Sequence, residues 1–325
     1  MSLTRVILAN PRGFCAGVDR AIQMVELALQ EFGAPIYVRH EIVHNVHVVR
    51  RLEEMGAIFT DELNDIPEGS VVIFSAHGVS EAIVAQAKQR QFQIFDATCP
   101  LVSKVHMQVV RYSRQGRECI LIGHAKHPEV EGTMGHYSNE QGGMYLVETP
   151  EDIDALVLKN PAHVSYVTQT TLSVADTQQM IEQLKRKFPA IAGPAKEDIC
   201  YATQNRQDAV DKLSTVCDTV LVIGSQKSSN SQRLADLAQR NGLKSYLIDD
   251  VSQLTADMLT DTKVLGVTAG ASAPEHLVQT LLNHLKSRYQ VQVETLDGPV
   301  EDMYFALPGV FRSLDVRKQR AEVVE

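Results

Sequence analysis

One local pattern occurs three times along this chain, and each copy carries a cysteine. In the first, the apolar run Val6-Ile7-Leu8-Ala9 ends in Asn10-Pro11-Arg12-Gly13-Phe14-Cys15. Apolar residues at helical spacing then run from Val18 to Phe32 and stop at Gly33. The pattern is a short buried strand, a turn bearing Gly and Pro, and a helix. Gln93-Ile94-Phe95-Asp96-Ala97-Thr98-Cys99-Pro100 repeats it, with proline at the position that suits a helix start. Asp198-Ile199-Cys200-Tyr201 is the third copy, followed by a helical run to about Ser214. Cys99 follows Cys15 by 84 positions and Cys200 follows Cys99 by 101. Intervals of that size predict three related lobes, each supplying one thiol beside a helix N-terminus. Such a position is expected to favour the thiolate, which is a metal ligand or a nucleophile.

The repeat extends inside each lobe. His44 lies 29 positions after Cys15, His127 lies 28 after Cys99, and Ser228 lies 28 after Cys200. A second set comes later: His77 at 62 past its cysteine, Thr170 at 71, and Ser272 at 72. These follow the apolar runs Val71 to Phe74, Val164 to Val167 and Val264 to Val267. In parallel sheets, ligand groups gather beyond the carboxyl ends of the strands. Three lobes with those ends turned inward would bring three cysteines and six polar loops to one centre.

The alternation of short apolar runs with helical patterns gives an α/β class with mostly parallel sheets. Lobe one spans 1–98, lobe two 99–198, lobe three 199–312, and 313–325 is a tail. Within this scheme, 58–69 reads as irregular and 189–194 as a linker. Met303 to Phe311 is apolar enough to dock, and Arg317 to Glu325 is expected to fray. The chain of 325 residues carries a net charge of −9 and no Lys or Arg run, which argues against a nucleic-acid surface. No apolar stretch is long enough to span a bilayer. The N-terminus enters a strand directly, without a signal-peptide pattern. Five cysteines at long spacing do not form a disulfide framework, so a reducing cytoplasm is the simplest expectation.

A lone cysteine is usually a small core residue, and that reading suits Cys119 and Cys217, which adjoin apolar strands. It does not suit the three in turns, because loops carry function. Three thiolates meeting at a centre would repel unless a cation or cluster neutralised them. Zinc closes its shell with a fourth ligand. A 4Fe–4S cluster held by three cysteines leaves one iron open.

Isolated loop histidines are ordinarily surface residues, the expectation for His40, His47, His106, His136, His163, His276 and His284. His44, His77 and His127 differ because their spacing repeats; His124 shares the loop of His127 and fits either reading. Ser228-Ser229-Asn230 stands just before a helical run from Gln232 to Gln239. Hydroxyls, an amide and free N–H groups there suit phosphate oxygens, although an ordinary N-cap accounts for the same residues. Glu129 is the one carboxylate in a repeated loop, and burial would raise its pKa and make it a proton donor.

These motifs resemble the 4-hydroxy-3-methylbut-2-enyl diphosphate reductase (LytB) family over nearly the whole chain to about Arg312. The resemblance rests on Pro11-Arg12-Gly13-Phe14-Cys15-Ala16-Gly17-Val18, Ser75-Ala76-His77-Gly78-Val79 and Asp96-Ala97-Thr98-Cys99-Pro100. It continues through His127-Pro128-Glu129-Val130-Glu131-Gly132-Thr133, Gln169-Thr170-Thr171 and Cys200-Tyr201-Ala202-Thr203. Ser228-Ser229-Asn230-Ser231 and Thr268-Ala269-Gly270-Ala271-Ser272-Ala273-Pro274 complete it, and no motif position departs from the family pattern.

The resemblance implies three similar lobes in a pseudo-threefold arrangement around a central 4Fe–4S cluster. Cys15, Cys99 and Cys200 would hold the cluster with one iron open. His44, His77, Ser228, Ser229, Asn230 and Ser272 would hold a diphosphate. His127 would contact the substrate, and Glu129 with Thr170 would relay a proton to it. The implied reaction removes an allylic hydroxyl with two electrons and two protons, giving isopentenyl and dimethylallyl diphosphate. The implied electron donor is a reduced flavodoxin or ferredoxin, with neither nucleic acid nor membrane as partner. Two alternatives stand beside it: a cluster dehydratase similar to quinolinate synthase, for which Arg clamps on a dicarboxylate are expected, and a non-enzymatic cluster or zinc sensor.

Overall fold

The structure, a computed structural model, describes residues 3–312; the expected fraying of 317–325 lies outside them. The chain starts with β1 (Arg5–Leu8), α1 (Ala16–Phe32), β2 (Ile36–Arg39), α2 (Val46–Glu54) and β3 (Ala57–Thr60). β4 (Val71–Phe74), α3 (Glu81–Gln89), β5 (Gln93–Asp96) and α4 (Pro100–Arg114) follow. Next come β6 (Glu118–Ile122), α5 (Pro128–Met134), β7 (Met144–Val147), α6 (Pro150–Ala155), β8 (Val164–Thr168) and α7 (Val174–Lys187). The last third holds α8 (Tyr201–Ser214), β9 (Thr219–Ile223), α9 (Ser229–Arg240), β10 (Lys244–Ile248) and β11 (Val264–Ala269). α10 (Glu275–Arg288), β12 (Gln292–Thr295) and the short α11 (Gly309–Arg312) complete it.

The strands form three sheets, in the orders β3-β2-β4-β5, β7-β6-β8 and β10-β9-β11-β1-β12, and every pairing between named strands is parallel. Each sheet contains the same triplet, with β2, β6 or β9 at its centre. β6 and β9 are buried along their whole length. Helices on both faces account for that, and for the unbroken apolar run Val220-Leu221-Val222-Ile223.

The chain passes from sheet to sheet at Cys99 and Cys200, but its first strand does not join the sheet of lobe one. β1, the strand before Cys15, pairs with β11 and β12 in the sheet of the third lobe. β5, the strand before Cys99, stays in the first sheet, and Ala192 forms a parallel bridge to Ser165 on β8. The stretch expected to be a linker therefore hydrogen-bonds to the second sheet, through Tyr166 N–H to Ala192 O and Ala192 N–H to Val164 O, both 3.0 Å. Each lobe ends on an added strand or bridge, and the chain then turns through a cysteine into the first helix of the next lobe. The chain opens with the last strand of lobe three, which closes the circle.

Two other expectations need amending. The stretch from 58 to 69 contains most of β3, a four-residue strand at the sheet edge, too short to show a period. The C-terminal segment docks as expected: Leu307 and Phe311 are buried in the core cluster of lobe one, and the Phe311 ring lies 4.8 Å from that of Phe95. Burying such a side chain contributes about 2–3 kcal/mol. Among the described residues, no helix is long and apolar enough to cross a membrane.

Candidate active site

The three cysteines of the repeated turns are helix N-caps, Cys15 of α1, Cys99 of α4 and Cys200 of α8. The amide of each is tied to the loop after β11, β4 or β8. Cys15 N–H donates to Ala271 O (3.2 Å), Cys99 N–H to Ala76 O (3.0 Å) and Cys200 N–H to Thr170 O (3.1 Å). The acceptors are Thr170 itself and the residues just before Ser272 and His77, so cysteine and polar loop are registered against each other three times over. In the first turn, Gly13 takes φ +69°, which a side chain would resist.

The sulfurs converge. A Cβ placed on Gly17 would lie 2.7 Å from Cys99 Sγ and 3.9 Å from Cys15 Sγ, so both sulfurs fall within 4 Å of one point. At Cys99 and Cys200 the thiol is raised, against the expectation that the helix ends would favour thiolates. Burial, and then repulsion from Cys15, push Cys99 up to about 12 and Cys200 up to about 11. The amides of Leu101 and Val102, and the amide and hydroxyl of Thr203, pull the other way but are outweighed. A helix end is worth only about 1 kcal/mol, less than the cost of a buried charge. Among the described residues, no group of three His, Cys, Asp or Glu is arranged to hold a single metal ion. A cluster presents a separate iron to each thiolate and fits sulfurs set further apart. A side chain at Gly17 would intrude on the Cys99 sulfur.

All twelve candidate residues line a single cavity: Cys15, His44, His77, Cys99, His127, Glu129, Thr170, Cys200, Ser228, Ser229, Asn230 and Ser272. Three imidazoles pack together there. The His44 and His77 rings stack at 4.2 Å, and His127 meets them edge-on at 5.5 and 5.7 Å. Burial, and then the neighbouring imidazoles, hold His77 well below the usual range and lower His127 to about 3. His127 Nδ1 accepts the Glu129 N–H at 3.1 Å, which leaves Nε2 to carry the proton. His44 Nδ1 lies 3.1 Å from Glu41 Oε2, and its buried Nε2 has no partner. Ser272 Oγ donates to His44 O at 3.0 Å, joining lobes three and one.

The Ser-Ser-Asn loop caps a helix and also turns unpartnered polar atoms into the cavity. Ser228 is the N-cap of α9, which starts at Ser229, three residues before the sequence pattern places it. Ser229 Oγ donates to Thr171 O. Asn230, only 4% exposed, leaves both its amide oxygen and its amide nitrogen without a partner. Buried polar atoms in that state cost stability unless a ligand satisfies them.

Glu129 sits in the first turn of α5, 3% exposed. Thr170 grips both carboxyl oxygens, its N–H on Oε1 at 2.6 Å and its hydroxyl on Oε2 at 3.0 Å. Burial outweighs those bonds and raises the carboxyl to about 7, the direction expected from the sequence.

The remaining cysteines are elsewhere. Cys119 and Cys217 are buried in apolar clusters, which fits their reading as packing residues. His124 lies outside the cavity, 3.8 Å from Glu148. His106 departs from its surface expectation: it is buried and its ring lies tilted against that of His136 at 4.1 Å, one helical face of α4 being covered there. Glu41 was not visible as a site residue, because nothing in the sequence ties it to His44 beyond proximity. Its hydrogen bond to His44, with help from Lys227 Nζ at 2.5 Å, holds its carboxyl down to about 2.

Residues 6–286 match the family model described as LytB protein. The chain belongs to the LytB family. Two curated LytB relatives are named 4-hydroxy-3-methylbut-2-enyl diphosphate reductase. The one from Methylococcus capsulatus is 58% identical over 95% of this chain and 99% of its own. The one from Haemophilus influenzae is 58% identical over 96% and 99%. The solved structure of the E-1-hydroxy-2-methyl-but-2-enyl-4-diphosphate reductase from Plasmodium falciparum superposes with a TM-score of 0.89 at 40% identity, covering 98% of this chain and 99% of that one. The shared architecture is the three-lobed α/β fold described above.

Proposed function

We propose that this chain is a 4-hydroxy-3-methylbut-2-enyl diphosphate reductase and that the cavity is its active site. The overall change takes up two electrons and two protons. The allylic C–O bond breaks, the hydroxyl leaves as water, and isopentenyl and dimethylallyl diphosphate remain. The observation that carries the reading is one cavity in which three cysteines from three turns, a carboxyl raised to about 7 and unpartnered buried donors meet.

Cys15, Cys99 and Cys200 would hold a 4Fe–4S cluster with one iron free of protein ligands. When bound, that group supplies a Lewis-acidic iron and electrons one at a time. Reduced flavodoxin or ferredoxin is the donor we assign. All five cysteines are free, which suits a reducing cytoplasm.

The diphosphate is assigned to His44, His77, Ser228, Ser229, Asn230 and Ser272, with His127 contacting the substrate. Among the described residues, those lining the cavity include no Arg or Lys. Hydroxyls, the amide and helix N-termini would donate to the phosphate oxygens. His77 and His127, kept neutral by burial and by neighbouring imidazoles, would gain protons beside an anion, because opposite charge reverses that shift. A dicarboxylate is expected to be clamped by Arg side chains, and among the described residues none lines the cavity.

Glu129 would deliver the proton that lets the hydroxyl leave. Its raised pKa keeps a proton available near neutrality. The Thr170 hydroxyl can donate or accept, so it can pass a proton on as Glu129 changes state. The second proton adds to either end of the allylic unit, which accounts for two products. Anaerobic turnover with reduced methyl viologen, with both products quantified, tests the assignment. Iron-loaded protein that leaves the allylic diphosphate unconsumed would refute it.

A further inference from the structure

Each cysteine helix carries a buried or half-buried cation at a repeated place. Arg20 stands five positions after Cys15, Lys104 five after Cys99, and Arg206 six after Cys200. Each cation reaches to the turn before the next cysteine in the circle. Arg20 Nη1 donates to Thr98 O at 3.2 Å, immediately before Cys99. Lys104 Nζ donates to Lys196 O at 3.1 Å and Glu197 O at 2.8 Å, and lies 3.3 Å from Asp198 Oδ1, all shortly before Cys200. Arg206 donates to Gly13 O at 2.7 and 3.1 Å and to Phe14 O at 3.3 Å, immediately before Cys15.

We propose that Arg20, Lys104 and Arg206 form a closed ring of positioning residues, each fixing the cysteine turn of the lobe ahead of its own. The peptide geometry says how. A trans peptide points its C=O and N–H in opposite directions, so bonds on both edges fix its plane. The peptide joining Phe14 to Cys15 is held by Arg206 on one edge and by Ala271 O on the other. The peptide joining Thr98 to Cys99 is held in the same way by Arg20 and Ala76 O. At Cys200 the third case is shared: Gln204 holds Ile199 O, Thr170 O takes the Cys200 N–H, and Lys104 holds the two carbonyls further back. With that plane fixed, and each cysteine's own carbonyl held by its helix through the N–H of Asp19, Ser103 or Gln204, the direction of each Cα–Cβ bond is fixed, and so is the arc the sulfur can sweep.

The ring also accounts for a fully buried guanidinium. Arg206 is 0% exposed and is paired with Glu301 at 3.0 and 3.2 Å. A buried ion pair is weak evidence for stability, but it specifies geometry where a turn must be placed. That the placement serves a cluster rests on the function proposed above; the placement itself is a property of the chain.

The test uses full-length Arg20→Met, Lys104→Met and Arg206→Lys proteins. After anaerobic iron removal, each cysteine is pulsed with iodoacetamide and quantified by peptide mass spectrometry. Labelling in Arg20→Met should rise at Cys99, in Lys104→Met at Cys200 and in Arg206→Lys at Cys15, each by at least about tenfold over the other two, the scale of one charge-assisted hydrogen bond. Arg20→Lys should restore most of the protection at Cys99. Iron release from the loaded enzyme to a chelator should quicken in the same variants. A uniform rise at all three cysteines, a rise at the cysteine of the substituted residue's own helix, or no change would overturn the ring. Arg20 and Lys104 are partly exposed, so the crossed pattern is readable from those two alone if the Arg206 variant does not fold. Protein that takes up no iron would count against the proposed function and leave the labelling pattern to decide the ring.

Discussion

Around Cys15 and Cys99 the peptide groups are hydrogen-bonded on both edges, whereas His44 Nε2 and both amide atoms of Asn230 are buried without any partner. The two regions come from the same threefold repeat and line the same cavity. One is satisfied by the protein itself and the other is not. A group that stays bound needs a framework that holds its shape. A ligand that arrives and leaves needs donors that nothing else occupies, and those donors lower the stability of the protein that carries them.

The largest effect that bears on this contrast is expected at the cysteines. Cys15→Ser, Cys99→Ser and Cys200→Ser should each bleach the brown visible absorbance and abolish turnover. Wild-type absorbance and rate in any one of them would strike that residue from the ligand set. Glu129→Gln should keep the absorbance and substrate binding while kcat falls by roughly 10²-fold or more, the scale of a positioned acid. An unchanged kcat would exclude Glu129 as the proton donor.

The pH dependence sharpens the same point. Glu129 is protonated below its raised value of about 7, so kcat should fall as pH rises through that region. Linkage has the same sign: a buried carboxyl raised above its unfolded value stabilises the fold at low pH and loses that contribution as pH rises through about 7. Glu129→Gln should remove both slopes, and a titration that persists in the variant belongs to another group.

Asn230→Ala should act in the opposite way to a change in the cysteine turns. KM should rise about tenfold with kcat little changed, and Tm should hold or rise, because the residue removed had no partner to lose. A clear drop in Tm would show that Asn230 holds the fold rather than the ligand. Cys217→Ala is the smallest change, costing about 1–2 kcal/mol with iron content intact.

The threefold spacing made the cavity legible from sequence: a strand, a turn and a polar residue at fixed offsets are local features, and they recur. Thus His44, His127 and Ser228 could be matched before any lobe was seen. Circular closure was hidden, since nothing local to Arg5–Leu8 says that its partners are Val264–Val267 and Gln292–Thr295, more than 250 positions away. The start of α9 was misplaced for a local reason: Ser229 and Asn230 look like loop residues but form a first helical turn under the Ser228 cap. The raised thiols of Cys99 and Cys200 were hidden because burial is a property of the assembled lobes. The turn by itself offers only the helix end.

The central claim is that three sulfurs from three turns share one iron–sulfur centre with a position open to substrate. Anaerobic Mössbauer spectroscopy, with and without the allylic diphosphate, tests it most directly. The account predicts a cluster signal in which one iron environment changes on adding the diphosphate while the others stay the same. A spectrum without a cluster, or one in which the diphosphate alters every iron alike or none, would contradict it.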